Sequence, residues 1–152
     1  VTQLQDVTME ILEDTEFSRL GRFDAGLVVL LSTDDRYDTV TIERVDENFK
    51  TPIGRFEFDQ PAGCPDDVYR LSYMALEGSN GVYRRKGIGR EVLLFFIDRT
   101  GTRLVCDAPG GPANDYATHV VDDGIPFVCK MNREGLIWFP EATEEQLDLH
   151  PI

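Results

Sequence analysis

Four cations, Arg84, Arg85, Lys86 and Arg90, fall within seven consecutive positions of an otherwise acidic chain, and Gly87 and Gly89 interrupt them. The chemistry that suits this segment is the holding of a phosphate. Where a strand feeds a helix, the first helical turn leaves backbone N–H groups without internal partners, and the macrodipole adds about half a positive charge there. Glycine lets the backbone approach a phosphate closely and adopt conformations closed to other residues. A diphosphate would sit on the amides of residues 85–90, with Arg84, Arg85, Lys86 and Arg90 at its rim. Gly-x-Gly alone also describes a tight turn, and two familiar glycine motifs do not fit. The P-loop needs Gly-x-x-x-x-Gly-Lys-Ser/Thr, and the dinucleotide fingerprint needs a third glycine or alanine where this chain has Val92.

Other side chains capable of chemistry are few. Cys64, Cys106 and Cys129 are odd in number and widely spaced, no Cys-x-x-Cys occurs, and the histidines are His119 and His150 alone. Neither a zinc site nor a disulfide framework is expected, so no metal is assigned. Cys106 and Cys129 stand in apolar, strand-like runs, where small buried thiols are common.

The elements that must position the basic loop are legible around it. Val68–Leu76 reads as a long strand. Ile88, Val92, Leu93, Phe96 and Ile97 then form one apolar stripe at helical spacing, ended by Gly101 in the position of a left-handed cap. Leu104–Cys106 resumes as a strand. Strand, loop, helix and strand make a right-handed crossover that places two parallel strands in one sheet. Upstream, Leu27–Leu31 reads as a strand covered on both faces. Val40 and Ile42 alternate with Thr41 and Glu43, and Phe56 and Phe58 oppose Arg55, Glu57 and Asp59. Residues 1–25 admit a helix, or a short strand followed by one. Downstream, a helix is expected around Asn114–Val121, then strands at Phe127–Met131 and Leu136–Phe139 joined as a hairpin with Gly135 at positive φ. Thr143 and Gln146 suit a capping box for a short terminal helix.

The 152 residues fit one domain, 1–152, with an atypical N-terminal stretch of about 25 residues. Net charge is -13, from 28 acidic and 15 basic residues. That balance disfavours nucleic acid and anionic membranes and favours a cationic partner, although solubility is the commoner reason for it. Apolar runs such as Leu27–Leu31 are far shorter than the ~20 residues of a membrane span. With no visible signal peptide, a cytoplasmic setting is expected.

The segment Arg84–Gly87–Gly89 matches Gln/Arg-x-x-Gly-x-Gly/Ala, and in this the chain resembles the GNAT acetyltransferase superfamily. Leu71–Leu76 resembles that family's fourth strand, Thr102–Ala108 its fifth, and Asn114–Asp115–Tyr116–Ala117 the start of its next helix. The resemblance spans residues 68–139. It implies an α/β (α+β) fold with a mixed, mostly antiparallel central sheet, the crossover, and a splayed pair of parallel strands. It implies acetyl-CoA as the bound cofactor, its pantetheine lying along Met74, Ala75 and Leu76. The pyrophosphate would lie on Arg84, Arg85, Lys86, Gly87, Ile88, Gly89 and Arg90, with Asn114 hydrogen-bonding the cofactor. The reaction would be N-acetylation of a primary amine by direct attack. Glu77 is the candidate base, although a solvated carboxylate at a strand end is the commoner reading. Tyr116 or His119 is the candidate acid for the leaving thiolate, because Val121 stands where the family carries a tyrosine. Gly78–Gly81 lengthens the approach to the loop.

The acceptor would be a cationic small molecule or a basic protein segment, and a second copy of the chain, as a homodimer, is a further option. Two readings compete with the enzyme. One is a catalytically weak or inactive CoA-binding module of the same fold. The other is a small acidic α+β interaction protein that mimics nucleic-acid charge, which the dispersal of carboxylates from Asp6 to Asp148 speaks against.

Overall fold

A computed structural model describes residues 9–60, 63, 65–76, 87–106 and 124–139. It is a mixed α+β arrangement of two helices and one mostly antiparallel sheet. The strands are β1 (Glu10–Asp14), β2 (Ser18–Arg22), β3 (Val28–Ser32), β4 (Thr39–Val45), β5 (Lys50–Asp59), β6 (Val68–Leu76) and β7 (Arg103–Val105), and the helices are α1 (Ile88–Thr100) and α2 (Gly124–Arg133). The 7-stranded sheet follows chain order, so each strand lies beside its sequence neighbour. Every pairing is antiparallel except β6 with β7, which are parallel and joined through α1.

Alternation explains the core. Val29, Leu31, Val40, Ile42, Phe56 and Phe58 occupy one sheet face and are buried. Against them α1 sets Val92, Leu93, Phe95 and Phe96, with Phe96 stacked on Phe58 at 3.8 Å between ring centroids and meeting Tyr69 edge-on at 5.4 Å. Burial of each such side chain contributes roughly 1.5–3 kcal/mol. Helix α1 ends as its sequence dictates: Gly101 adopts φ 68° and its N–H donates to the Ile97 carbonyl at 2.7 Å, a left-handed cap. Strand β6 matches the expected Val68–Leu76 residue for residue.

Three expectations are corrected. Strand β3 is not covered on both faces, since Val29 and Leu31 are buried while Val28 and Leu30 are only partly so. The N-terminal region forms the β1–β2 hairpin rather than a helix. The two strands expected at Phe127–Met131 and Leu136–Phe139 are also not a hairpin, because residues 124–133 form α2 and place the Cys129 thiol on a helix. Phe127, Val128 and Met131 lie at i, i+1 and i+4, one helical face, and Val128 and Met131 are buried. Gly135 does supply a positive φ, but as a helix terminator. The Leu136 N–H donates to the Met131 carbonyl at 2.9 Å and the Gly135 N–H to the Asn132 carbonyl at 3.0 Å, the paired bonds of a Schellman cap. Trp138 then bridges β7 on its outer side, donating to the Leu104 carbonyl at 2.8 Å and accepting from the Cys106 N–H at 2.9 Å. The expected helices around Asn114–Val121 and after Thr143 lie outside the described residues.

Candidate functional site

The site expected from the sequence needs an open strand edge beside a helix N-terminus. Among the described residues the β6–β7 ladder pairs Val68–Arg70 with Arg103–Val105, while β6 runs on to Leu76. A bulge lies close to that point. Against β5, Tyr73 pairs with Glu57 and Leu71 with Phe58, which leaves Ser72 as an extra residue. A bulge bends its strand and increases the local twist. This one lies just past Arg70, where the pairing with β7 stops.

The orientation of the far end of β6 follows from Gly54. A Cβ on Gly54 would strike the Ala75 carbonyl oxygen, so that carbonyl faces β5. Backbone groups alternate in direction along a strand. Met74 and Leu76 therefore turn their N–H and C=O groups toward the other edge, the side of β7, while the Met74 and Leu76 side chains pack against the core.

Helix α1 begins at this same end. A chain of contacts connects them: Gly89 abuts Phe127, Phe127 meets Phe56 edge-on at 6.1 Å, and Phe56 pairs with Met74 in the sheet. The N-cap is Gly87, left-handed at φ 83°, ψ 2°, and it provides no side-chain hydrogen bond to the first turn. The first main-chain bond of the helix runs from the Glu91 N–H to the Gly87 carbonyl at 3.1 Å. The amides of Ile88, Gly89 and Arg90 thus precede the internal ladder, as anion binding at a helix N-terminus requires.

Several residues of the motif have other work. Ile88 is buried at 1 % exposure, so its side chain belongs to the core and only its amide is at issue. A Cβ on Gly89 would come within 2.8 Å of the Phe127 ring, so this glycine is required for α1 to lie against α2. Its absence of side chain is not diagnostic of a phosphate. Arg90 directs Nε to Glu134 Oε1 at 2.7 Å and Nη1 to Glu91 Oε2 at 3.5 Å, which ties the helix start to the turn after α2. Glu91 is 8 % exposed, and burial pushes its carboxyl above the usual carboxylate range, against the pull of Arg90 and Arg19. Glu77, Arg84, Arg85, Lys86, Asn114, Tyr116, His119 and Val121 lie outside the described residues.

Sequence reasoning missed a second feature nearby. On the sheet face opposite the helices, an open groove of about 340 Å³ is lined by Thr41, Glu43, Pro52, Gly54, Arg55 and Ala75. It arises where Ile53 is an extra residue of β5 against β4, Gly54 pairing with Ile42 and Pro52 with Glu43. No sequence signal marks a bulge of this kind beyond the Pro-Ile-Gly run itself.

Among the described residues no group of three or more His, Cys, Asp or Glu side chains is placed to hold a metal, and no helix is long and apolar enough to cross a membrane. Compared with protein-family models, with curated proteins and with solved structures, the chain gives no match.

Proposed function

We propose that this chain is a GNAT-type N-acetyltransferase that takes acetyl-CoA into the opening between β6 and β7 and passes the acetyl group to a primary amine. The observation that carries the proposal is the coincidence at one end of β6. An outward-facing strand edge at Met74 and Leu76 lies beside a helix start whose N-cap is a left-handed glycine without a capping side chain. The pantetheine amides would add to that edge as an extra strand does. The diphosphate would accept from the first-turn amides, with Arg84, Arg85 and Lys86 supplying charge. Because Arg90 is engaged by Glu134, the cationic share falls mainly on the other three.

In the reaction itself the amine lone pair attacks the thioester carbon, the carbon–sulfur bond breaks, and the thiolate takes up a proton. The protein's part is placement, removal of the ammonium proton before attack, and protonation of sulfur. Glu77 is assigned the first proton transfer, and Tyr116 or His119 the second. The presence of Val121 rather than tyrosine favours one alternative, a CoA-binding module without efficient turnover.

Thermal melting tests the binding step. At a hundredfold excess over Kd, acetyl-CoA should stabilise the protein by about 2.7 kcal/mol, a Tm increase of roughly 5–10 °C for a chain of this size. The Arg84→Ala/Lys86→Ala double variant should lose most of that increase while melting normally without ligand. A wild-type Tm that ignores acetyl-CoA removes the proposal. Release of free thiol with an amine present separates the transferase from the binding module.

A further inference from the structure

We infer that the outer face of strands β2–β4 docks a basic amphipathic helix of a partner protein, its apolar stripe on Leu20, Val28, Leu30 and Val45 and its flanking cations on Glu13 and Glu43. The inference is independent of the acyl-transfer reading and begins from an asymmetry of the sheet. One face carries the helices, and its residues Val29, Leu31, Val40 and Ile42 are 0 % exposed. Among the described residues no helix covers the other face, where Leu20, Val28, Leu30 and Val45 are partly exposed and take no part in the core. Residues opposite each other on paired strands share a face. Leu20 lies opposite Leu30, and Val28 and Val45 each stand one residue beyond the Val29–Arg44 pair. The four aliphatic side chains therefore form one patch, about 10 Å across the strands and about 7 Å along them. Phe49, 61 % exposed in the β4–β5 turn, stands at one end of it.

Charge selects the occupant. The row through Leu20 and Leu30 continues to Glu13 on β1 and to Glu43 on β4. The patch thus has a carboxylate on each flank, the two separated by three strand spacings, ~14 Å. An α-helix with its side chains is ~10–12 Å across. Laid along β3, it would set an apolar stripe on the patch and bring lysine or arginine stems on its two sides over Glu13 and Glu43. Neither carboxylate joins an ion pair among the described residues, whereas Arg22 and Arg55 on the same face are held by Glu10 and Glu57. Lys50, opposite Val45, is the exception and favours one acidic residue at that end of the partner. Other occupants fit less well. A second copy would bring its own charge of -13, and α1 and α2 both face the core, so neither is free to serve as its docking helix. Nucleic acid and an anionic bilayer meet the same repulsion. A patch of this size suits a weak, transient contact rather than an obligate interface.

The probe is a synthetic peptide of about 14 residues, roughly four helical turns, with leucines at i, i+3, i+4 and i+7 and lysines on both flanks of that stripe. Titrated into the isotope-labelled full chain, it should move the backbone amide resonances of Leu20, Val28–Leu30 and Glu43 and leave those of α1 in place. Glu13→Gln/Glu43→Gln should weaken binding about threefold to thirtyfold, as expected for two charge pairs near the surface. Asp35→Asn/Asp66→Asn, an equal loss of charge in exposed loops away from the patch, should leave Kd unchanged. Leu20→Thr/Leu30→Thr, which keeps good strand formers on the surface, should weaken binding by more than about tenfold. The same peptide with glutamates in place of its lysines should not bind. Amide changes confined to another surface, or equal Kd values for the Glu13→Gln/Glu43→Gln and Asp35→Asn/Asp66→Asn variants, overturn the inference. So does a dimer in sedimentation, or binding to phosphatidylcholine vesicles, that Leu20→Thr/Leu30→Thr abolishes, because the patch then belongs to a second copy or to lipid. None of these variants touches β6 or the start of α1, so the acetyl-CoA Tm shift reports on the transferase proposal separately.

Discussion

Glu91 occupies the first turn of α1, where a carboxylate would ordinarily gain from the helix dipole, yet it is 8 % exposed and its carboxyl is pushed above the usual range by burial. The sign of the stability effect follows. In the unfolded chain the group loses its proton around the ordinary value of 4.5, whereas the folded protein holds it to higher pH. Between those two points the native state binds more protons, so stability falls as pH rises through the window and stays lowered above it. Glu91→Gln should therefore melt higher than the parent at pH 7, and the difference should close as pH drops below 4.5. Paired urea titrations at both pH values decide it, and a parent more stable than Glu91→Gln at pH 7 would mean that Arg90 and Arg19 outweigh desolvation. The same local view shows what single residues disclosed in advance. Gly87 was readable only as a glycine free to adopt conformations closed to other residues, and the structure sets it left-handed at φ 83°. Gly89 was not separable from it, because the Phe127 ring that excludes a side chain there lies 38 positions away in sequence.

At the scale of elements, the β1–β2 hairpin is clamped onto α1 by charge rather than by apolar packing. Arg19, 8 % exposed, donates from Nε to Asp14 Oδ1 at 2.9 Å and from Nη2 to Asp98 Oδ2 at 3.1 Å. Arg99 bonds Asp14, Asp98 and the Thr15 carbonyl, and the two guanidiniums lie over the Phe95 ring at 5.6 and 4.8 Å. Removing Arg19 takes away the buried cation of the cluster while Arg99 still pairs with both carboxylates, so Arg19→Met should cost about 1–2 kcal/mol. Arg22→Ala, which breaks the exposed pair with Glu10, should cost under about 1 kcal/mol. The hydrogen bond from Arg19 holds the Asp14 carboxyl below its ordinary 3.8, so this contribution is complete above that value and is lost as pH falls through the lowered one. Chemical denaturation at pH 7 and again near pH 2 should show the parent's advantage over Arg19→Met shrinking in acid. This clamp also explains why the hairpin was illegible: the buried positions of β2 are Arg19 and Gly21, so its inward face carries no apolar alternation, and edge strand β1 shows none either. Helix α1 was legible because five apolar residues share one stripe between two glycines. Helix α2 was mistaken for a strand because Phe127–Met131 is a short apolar run, for which periodicity alone does not separate the two. The opening at β6 and the groove over β5 depend on bulges at Ser72 and Ile53, one-residue slips against partners distant in sequence.

For the molecule as a whole, the decisive quantity is a net charge of -13 on a body with a radius of gyration of about 15 Å. Arg19, Arg22, Arg44, Arg70 and Arg103 of the sheet are each held by a carboxylate. Glu13, Asp24, Asp35 and Glu47 are exposed and join no ion pair among the described residues, so surplus negative charge faces solvent there. Two salt effects then oppose each other. Screening weakens exposed pairs such as Arg22–Glu10, each worth about 0.2–1 kcal/mol, but it also relieves the repulsion among the surplus carboxylates, which the expanded unfolded chain feels less. At ~0.01 M salt the Debye length, ~30 Å, exceeds the radius of the body, so carboxylates sense one another across much of it; at ~0.15 M it is ~8 Å, and only near neighbours interact. The Arg19–Arg99 cluster, partly withdrawn from water, is screened least. Repulsion should therefore dominate the difference, and the Tm of the ligand-free protein should rise by on the order of a few degrees between those two salt concentrations at pH 7. Sucrose at matched osmolarity should not reproduce the concentration profile, because it leaves the charges unscreened. A Tm that falls with added NaCl would mean that attraction between paired charges, not the surplus, governs the folded state, and that the acidic excess has been accommodated locally.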